Sequence, residues 1–318
     1  MPPPITYLVV PCYNEEEVLP ETLRRLTAVL ERLHGEGRVA TDSRILPVDD
    51  GSKDKTWSII EQSAQQNPWL GGVKLSRNCG HQNALLAGLM FARDRCDCAI
   101  SLDADLQDDV EAVGDFLDAF AAGHEVVYGV RKNRATDSAF KRGTAQGFYR
   151  LMRAMGADTV YNHADYRLLS RRAIEALGEF REVNLFLRGV VPLVGFSSTT
   201  VEYERHERFA GESKYPLKKM VSFAVEGITS FSVRPLQLIL ALGLLVSLLS
   251  VGGLLYALVS KLSGSAVPGW TATMFSIWLL GGIQLICVSV VGAYVGKIYQ
   301  EVKGRPKYFV EKTVTVDN

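Results

Sequence analysis

The first two thirds of the chain alternate between two patterns of apolar and polar positions. Short apolar runs occur at 5–10, 44–48, 72–75, 99–102 and 125–128. Between them, apolar residues recur at helical spacing over about 16–33, 55–66, 81–93 and 109–121. Short runs bounded by turn residues read as strands, and recurrence at i, i+3 and i+4 reads as amphipathic helix. Strand and helix in strict succession predict an α/β domain with a mainly parallel sheet. In such sheets ligands bind beyond the carboxyl ends of the strands, so the chemistry is expected in the polar segments there.

The pattern changes near residue 235. Two runs follow, 236–259 with 24 residues and 274–295 with 22, neither containing a charge. About 20 apolar residues cross the hydrocarbon core of a bilayer, so both are predicted to be transmembrane helices. A buried soluble hairpin is the competing reading, but uncharged runs of this length exceed ordinary core helices. Lys214, Lys218, Lys219 and Arg234 precede the first run, Lys297, Lys303, Arg305 and Lys307 follow the second, and the loop 260–273 holds only Lys261. Positive residues favour the cytoplasmic side, which puts both termini there, with Trp270 and Trp278 near the far interface.

Between the two patterns, 215–232 places Met220, Phe223, Ala224, Val225, Ile228 and Phe231 at mostly helical spacing among Lys218, Lys219 and Glu226. That suits a helix lying in the membrane interface, and a helix packed on the soluble domain is the alternative. The predicted organisation is a cytoplasmic domain (1–211), an amphipathic juxtamembrane segment (212–234), a two-helix transmembrane hairpin (235–296) and a cytoplasmic tail (297–318).

Composition narrows the function classes. A chain of 318 residues with 47% apolar content sustains a sizeable core plus an appendage. Its 35 basic and 35 acidic residues cancel, so no overall field draws it to nucleic acid. Cys12, Cys79, Cys96, Cys98 and Cys287 show no CxxC spacing and no partner His cluster. This disfavours a disulfide framework or structural zinc and fits reduced thiols. "MPPPITYLVV" lacks the basic and apolar regions of a signal peptide, so the first domain is not expected to be exported.

The strand ends carry candidate chemistry. "VVPCYNEEE" (9–17) follows the first strand without a GxGxxG, and its three glutamates would repel a pyrophosphate, which disfavours a dinucleotide-dependent oxidoreductase. Glu16 and Glu17 suit a first helical turn, but that does not explain Pro11, Tyr13 and Asn14 together. In "LPVDDGSKDKTW" (46–57), Asp50 is placed to accept hydrogen bonds from a base or ribose, although "DDGS" is also a common turn. Arg77 and Asn78 either face a nucleotide or pack their turn, and His81 reads as the start of a helix. In "SLDADLQDD" (101–109), Asp103 and Asp105 stand at i and i+2, on one side of the chain if the strand persists. Two close carboxylates need a cation or a proton, and a hard divalent ion sharing phosphate oxygens would serve. Gln107 offers a further oxygen, while Asp108 or Asp109 would cap the next helix.

"PCYNEEE", "VDDGSKDKT", "LSRNCGHQNALLAG", "DADLQD", "YGVR" and "DYRLLSRRA" stand in an order and spacing that resembles family-2 glycosyltransferases with a GT-A fold, over almost the whole chain. With two C-terminal spans, the chain looks like a polyprenyl-phosphate glycosyltransferase, close to bactoprenol glucosyltransferases and more distantly to dolichyl-phosphate mannose synthase. The resemblance implies a nucleotide-sugar site built from Pro11, Tyr13, Asn14, Glu15, Asp50, Arg77, Asp103 and Ala104. It implies Mg2+ or Mn2+ on Asp103, Asp105 and Gln107, and a catalytic set of Asp165, Asp105 and Arg131. Phosphates would fall to Arg131, Arg205, Arg208, Ser213 and Lys214. "NHADYR" departs from the "GDFR" of many relatives and leaves His163 without a role.

The reaction so implied is inverting transfer of a hexose, glucose from UDP-glucose by first choice, to a membrane polyprenyl phosphate such as undecaprenyl phosphate. The implied setting is the cytoplasmic face of the inner (plasma) membrane, with a homo-oligomer in line with relatives. UDP-GlcNAc, UDP-galactose, GDP-mannose and modified pentoses are alternative donors. A processive polysaccharide synthase is disfavoured by the lack of a QxxRW-like motif and by only two spans, and a non-catalytic nucleotide-binding scaffold by the intact acids. A monoalkyl phosphate has a second pKa of about 6 and hardly needs a base, so Asp165 is expected to orient the acceptor or an arginine.

Overall fold

Strand β1 (Thr6–Cys12) is buried at every one of its residues, as expected of a strand flanked on both sides and covered on both faces. It is the centre of a computed structural model that describes residues 2–132, 163–182, 187–204, 235–241, 243–246 and 269–314, with single positions at 248, 252 and 259. The chain divides into two units, residues 1–146, 159–215 and 304–318 in the first and 147–158 and 216–303 in the second.

In the first unit β2 (Arg44–Asp49), β3 (Gly72–Leu75) and β4 (Cys98–Ser101) join β1 in a parallel block. Three helices connect them: α1 (Leu19–Gly35), α2 (Thr56–Gln66) and α3 (His81–Ala92). Helix α1 begins later than the expected residue 16, because Glu15 O accepts from both Val18 N and Leu19 N and Pro20 sits in the first turn. It buries Leu19, Leu23, Leu26, Leu30 and Leu33, a stripe at spacings of three and four. Helix α3 lies close on the sheet at Gly88, where a Cβ would stand 2.4 Å from Val9 Cγ1 and 2.7 Å from Val48 Cγ2. Any side chain there would push α3 off β1 and β2.

After α4 (Val113–Ala121) comes β5 (Val126–Arg131), and beyond it β6 (His163–Ser170), α5 (Arg171–Gly178), a single turn Leu187–Val190 and β7 (Ser198–Tyr203). The sheet order is β7-β5-β6-β4-β1-β2-β3-β8. Strand β6 runs antiparallel between β4 and β5, and β7 is parallel to β5. Thus the sheet is mostly parallel, as the alternation predicted, but β6, β7 and β8 were not among the expected strands.

Strand β8 (Val310–Val314) pairs antiparallel with β3. Phe309 O accepts from Ser76 N at 3.0 Å, and Lys74 meets Glu311 at 3.4 Å. The segment anticipated as one tail, 297–318, therefore continues a helix through Lys303 and then supplies a sheet edge.

In the second unit, the helix Trp270–Lys303 has 34 residues and contains Leu279–Lys303, within which an 18-residue window has mean hydropathy 1.9 and is not buried. It is the one helix among the described residues long and apolar enough to cross a membrane. Of the first expected span only a shorter apolar helix, Pro235–Val246, is described in part, and the juxtamembrane segment 215–232 lies outside the described residues, as do the side chains of Trp270 and Trp278.

Candidate active site

Loops leaving β1, β2, β3 and β4 meet at the carboxyl edge of the parallel block. The first two are sewn together by short-range geometry. Asn14 adopts φ 54°, its Oδ1 accepts from Lys53 N at 2.9 Å, and its own N donates to Ser52 Oγ at 2.9 Å. Asparagine tolerates this left-handed conformation through such local bonds. Glu15 N donates to Thr56 Oγ1 at 2.9 Å and Glu16 Oε2 accepts from Lys55 N at 3.1 Å. Pro11 is buried within β1, while Tyr13 is 41% exposed and Arg77 is exposed.

Asp50 is buried and ties the second loop to the third. Its Oδ1 accepts from Cys79 N at 2.7 Å and its Oδ2 from Gly80 N at 2.9 Å. Burial raises its pKa and these two backbone bonds oppose the rise. Gly51 makes the approach feasible: it has φ 67°, and a Cβ would stand 2.5 Å from the carbonyl carbon of Arg77.

Strand β4 ends at Ser101, so Asp103 and Asp105 do not share one side of a continuing strand. They lie in a turn in which Asp105 Oδ1 accepts from Gln107 N at 3.1 Å and Leu106 takes φ 56°, a strained value for leucine. Ala104 O accepts from Thr22 Oγ1 of α1 at 2.7 Å, which pins the turn to the core. The two following acids part company. Asp109 accepts from Glu111 N at 3.0 Å and caps the 3₁₀ turn Val110–Ala112 that leads into α4. Asp108 is buried and accepts from Tyr203 Oη at 2.7 Å, and that oxygen accepts from Arg131 Nε at 3.3 Å. Arg131 at the end of β5 thus touches the Tyr203–Asp108 pair through its Nε.

The antiparallel register of β6, with Ser101 opposite Arg167, brings Asp165 alongside the turn that follows β4. Ser101 Oγ donates to Asp165 O at 2.6 Å. His81, the first residue of α3, places Nε2 at 3.5 Å from Asp103 Oδ1 and 3.8 Å from Asp165 Oδ2. Two guanidiniums then close on Asp165. Arg167 Nη2 donates to its Oδ1 at 2.7 Å, and Arg188 donates from Nε to Oδ1 at 3.1 Å and from Nη2 to Oδ2 at 2.9 Å.

Withdrawal from water, with Asp108, Asp165 and Asp105 nearby, pushes Asp103 up to about 6, against the pull of His81. Burial would raise Asp165 too, but Arg167 and Arg188 outweigh it and hold that carboxyl well below the usual carboxylate range. Among the described residues, no three His, Cys, Asp or Glu side chains form a ready-made ion site. The chemistry of the donors still fits a divalent ion: Asp103 is a hard oxygen crowded by like charge, with Asp105 two residues on, and phosphate and water oxygens would complete the shell.

Residues 7–178 match the family described as Glycosyl transferase family 2. The chain belongs to glycosyl transferase family 2. The family-2 match runs from β1 through α5, and so takes in Asp50, the Asp103 turn and Asp165. Among curated relatives, "Uncharacterized glycosyltransferase YkoT" of Bacillus subtilis (strain 168) is 52% identical, over 97% of this chain and 91% of its own. The "SfII prophage-derived bactoprenol glucosyl transferase" of Shigella flexneri is 39% identical, over 96% and 97%. The "Prophage bactoprenol glucosyl transferase homolog" of Escherichia coli (strain K12) is 38% identical, over 96% and 98%. This family-2 protein is an enzyme, a glycosyltransferase.

Among the expected site residues of the family-2 enzyme, Arg205, Arg208, Ser213 and Lys214 lie outside the described residues, as does the side chain of His163. Three residues at the site were not assigned from sequence: His81, Arg167 and Arg188. Arg167 had a signal, since it stands two residues after Asp165 and a strand turns such a pair to one face. His81 looked like an ordinary helix start, which it also is. Nothing in the sequence near Arg188 marks it.

Proposed function

We propose that this glycosyltransferase transfers a hexose, glucose from UDP-glucose by first choice, to the phosphate of a polyprenyl carrier such as undecaprenyl phosphate, with inversion. The reading is carried by the juxtaposition of Asp103 and Asp165 across His81: among the described residues, Asp103 meets His81 and no guanidinium, whereas Asp165 is held by two. Relatives named bactoprenol glucosyl transferase, at 38–39% identity over nearly the full chain, support the acceptor.

On the donor side, Pro11, Tyr13, Asn14, Glu15, Arg77 and Ala104 would bracket the nucleoside. Asp50 would act there by holding the Cys79–Gly80 backbone in place. Asp103 and Asp105, with an oxygen from Gln107, would hold Mg2+ or Mn2+. Such an ion, when bound, supplies positive charge to the departing diphosphate. On the acceptor side the phosphate arrives largely dianionic, so its own oxygen is the nucleophile. Asp165, ionised between two guanidiniums, is a poor proton acceptor and serves to orient. Arg131, Arg205, Arg208, Ser213 and Lys214 would attract the phosphates, as arginine matches phosphate oxygens in pairs.

A long isoprenoid stays in the bilayer, so the enzyme has to work at headgroup level. We place residues 1–211 on the cytoplasmic face of the plasma membrane, 215–232 in the interface and 235–296 as a two-helix hairpin, in a homo-oligomer. The apolar helix Leu279–Lys303 supports membrane attachment. The test is transfer of radiolabelled glucose by the full chain in lipid nanodiscs containing undecaprenyl phosphate. Labelled lipid is expected with Mg2+ or Mn2+ and not with EDTA, and fastest with UDP-glucose in a donor screen. If no donor labels the lipid, the reading is wrong.

A further inference from the structure

The loop from β3 to α3, residues 76–80, is held at its two ends by different parts of the chain. At the far end Asp50 accepts from Cys79 N and Gly80 N, and Asn83 Nδ2 donates to Cys79 O at 2.8 Å. In the middle the backbone of Arg77 and Asn78 runs against Gly51, where a Cβ would stand within 2.7 Å of both. At the near end Ser76 N donates to Phe309 O at 3.0 Å. The first supports belong to the segment matched by family 2, residues 7–178, and the last comes from the C-terminal end of the chain.

That C-terminal segment is itself firmly fastened. Lys307 Nζ donates to Phe180 O at 3.1 Å, just past α5, and β8 pairs with β3. The ladder is not regular. Gly72, Val73 and Lys74 stand opposite Val314, Thr313 and Lys312, but Leu75 stands opposite Val310, so Glu311 is an extra residue on β8. A bulge of this kind bends its strand and re-aims what lies beside it. Here it leaves the Glu311 carboxylate at 3.4 Å from Lys74 and brings the Phe309 carbonyl to the first N–H past β3. The pairing thus reaches one bond beyond β3 and fixes where the loop begins. Arg77 follows at once. A loop already fixed at both ends binds better than one that must be ordered by its ligand, because ordering costs affinity.

We infer that β8 belongs to the donor site: through Phe309 O it positions the loop 76–80 to receive a nucleoside diphosphate. Ser76 and Phe309 are positioning residues that act through their backbones, so no side-chain pattern marks them. The inference rests on the reading above in which Asp50 and Arg77 serve the donor nucleotide.

The test exploits the alternation of N–H directions along a strand. That of Ser76 faces β8, so that of Lys74 does too; Lys312, opposite Lys74, turns its N–H towards β3, and Thr313 turns its own away. Proline at 312 therefore removes a ladder donor and proline at 313 removes none. Lys312→Pro, Lys312→Ala and Thr313→Pro are compared in the full chain in nanodiscs by amide hydrogen exchange over 76–80, by calorimetric titration with UDP and Mg2+, and by the KM for undecaprenyl phosphate. Lys312→Pro is expected to speed exchange in the loop and to weaken UDP about three- to tenfold, the worth of one hydrogen bond, with the acceptor KM within about twofold. Lys312→Ala and Thr313→Pro keep the ladder and are expected to stay within about twofold of wild type. Faster exchange with unchanged UDP affinity would overturn the inference, and so would unchanged exchange in Lys312→Pro or equal effects of the two prolines. A parallel loss of UDP affinity and acceptor KM would overturn it as well and leave β8 a general support of the fold. If the wild-type chain binds neither UDP nor another nucleoside diphosphate, the donor reading falls and the inference with it, whereas the preceding results overturn the inference alone.

Discussion

Asp103 and Asp165 approach one imidazole from two sides, yet their surroundings are opposed. Asp103 sits in a strained turn with its side chain 39% exposed, among other carboxylates, and is pushed up to about 6. Asp165 is more deeply buried, with its side chain 10% exposed, and is held low by Arg167 and Arg188. The more buried acid is the more firmly ionised one. Withdrawal from water raises both carboxyls, and Arg167 and Arg188 reverse the rise at Asp165, which divides the site into an acid that calls for a cation and an acid that already has two.

The strongest way to break this contrast is Arg167→Met, which removes a buried guanidinium and leaves the buried Asp165 to Arg188. About 3–5 kcal/mol of stability should be lost, read by urea unfolding at neutral pH. Next is Asp103→Asn. Transfer at saturating metal should fall about 10²–10³-fold, comparable to the loss of a main stabiliser of developing charge. The same change should raise the melting temperature of the metal-free protein at pH 7.5. Because the folded pKa of Asp103 lies above its unfolded value of about 4, its ionisation opposes folding, and the penalty develops as pH rises from about 4 to about 6. The stabilisation by Asp103→Asn should therefore vanish at pH 4.

Asp165→Asn has the opposite sign. The folded pKa of Asp165 is depressed, so its contribution to stability is present above about pH 4 and is lost as pH falls further. The variant should be less stable than wild type at pH 7, and in unfolding experiments the gap should begin to narrow below about pH 4 and keep shrinking as the pH is lowered further. In transfer, its plateau rate should drop while the acid limb of the pH profile stays. Disappearance of that limb with the plateau intact would show that Asp165 is a base after all. The smallest effect, under about 1 kcal/mol, is expected for Glu311→Ala at the exposed ion pair with Lys74, far from this contrast.

The parallel block was legible because its strands and helices keep separate periods. β1 to β5 and α1 to α4 fall within a few residues of their expected positions. The other strands escaped for reasons that lie outside local sequence. Strand β6 is interrupted by polar residues, and the charges of its Asp165 and Arg167 make sense only once Arg188 and His81 stand beside Asp165. Strand β7 alternates exposed and half-buried residues and ends in Tyr203, so it shows no apolar run. Strand β8 is exposed over most of its length and is defined only by pairing with distant β3.

In the acidic stretch, the local spacing of Asp103 and Asp105 was readable, but the end of β4 at Ser101 was not. Asp108 and Asp109 were equally good caps by sequence. Tyr203, 95 residues away, decides between them by engaging Asp108.

The pairing of β8 with β3 also sets an order of events during synthesis. Residues 310–314 leave the ribosome only after the whole apolar helix Trp270–Lys303 has been made. Until then the backbone donors and acceptors along the outer side of β3 stand open, a template for wrong strand pairing. The nascent catalytic domain thus waits on its own apolar helix, and a chain interrupted after Lys303 would be released with that edge uncovered.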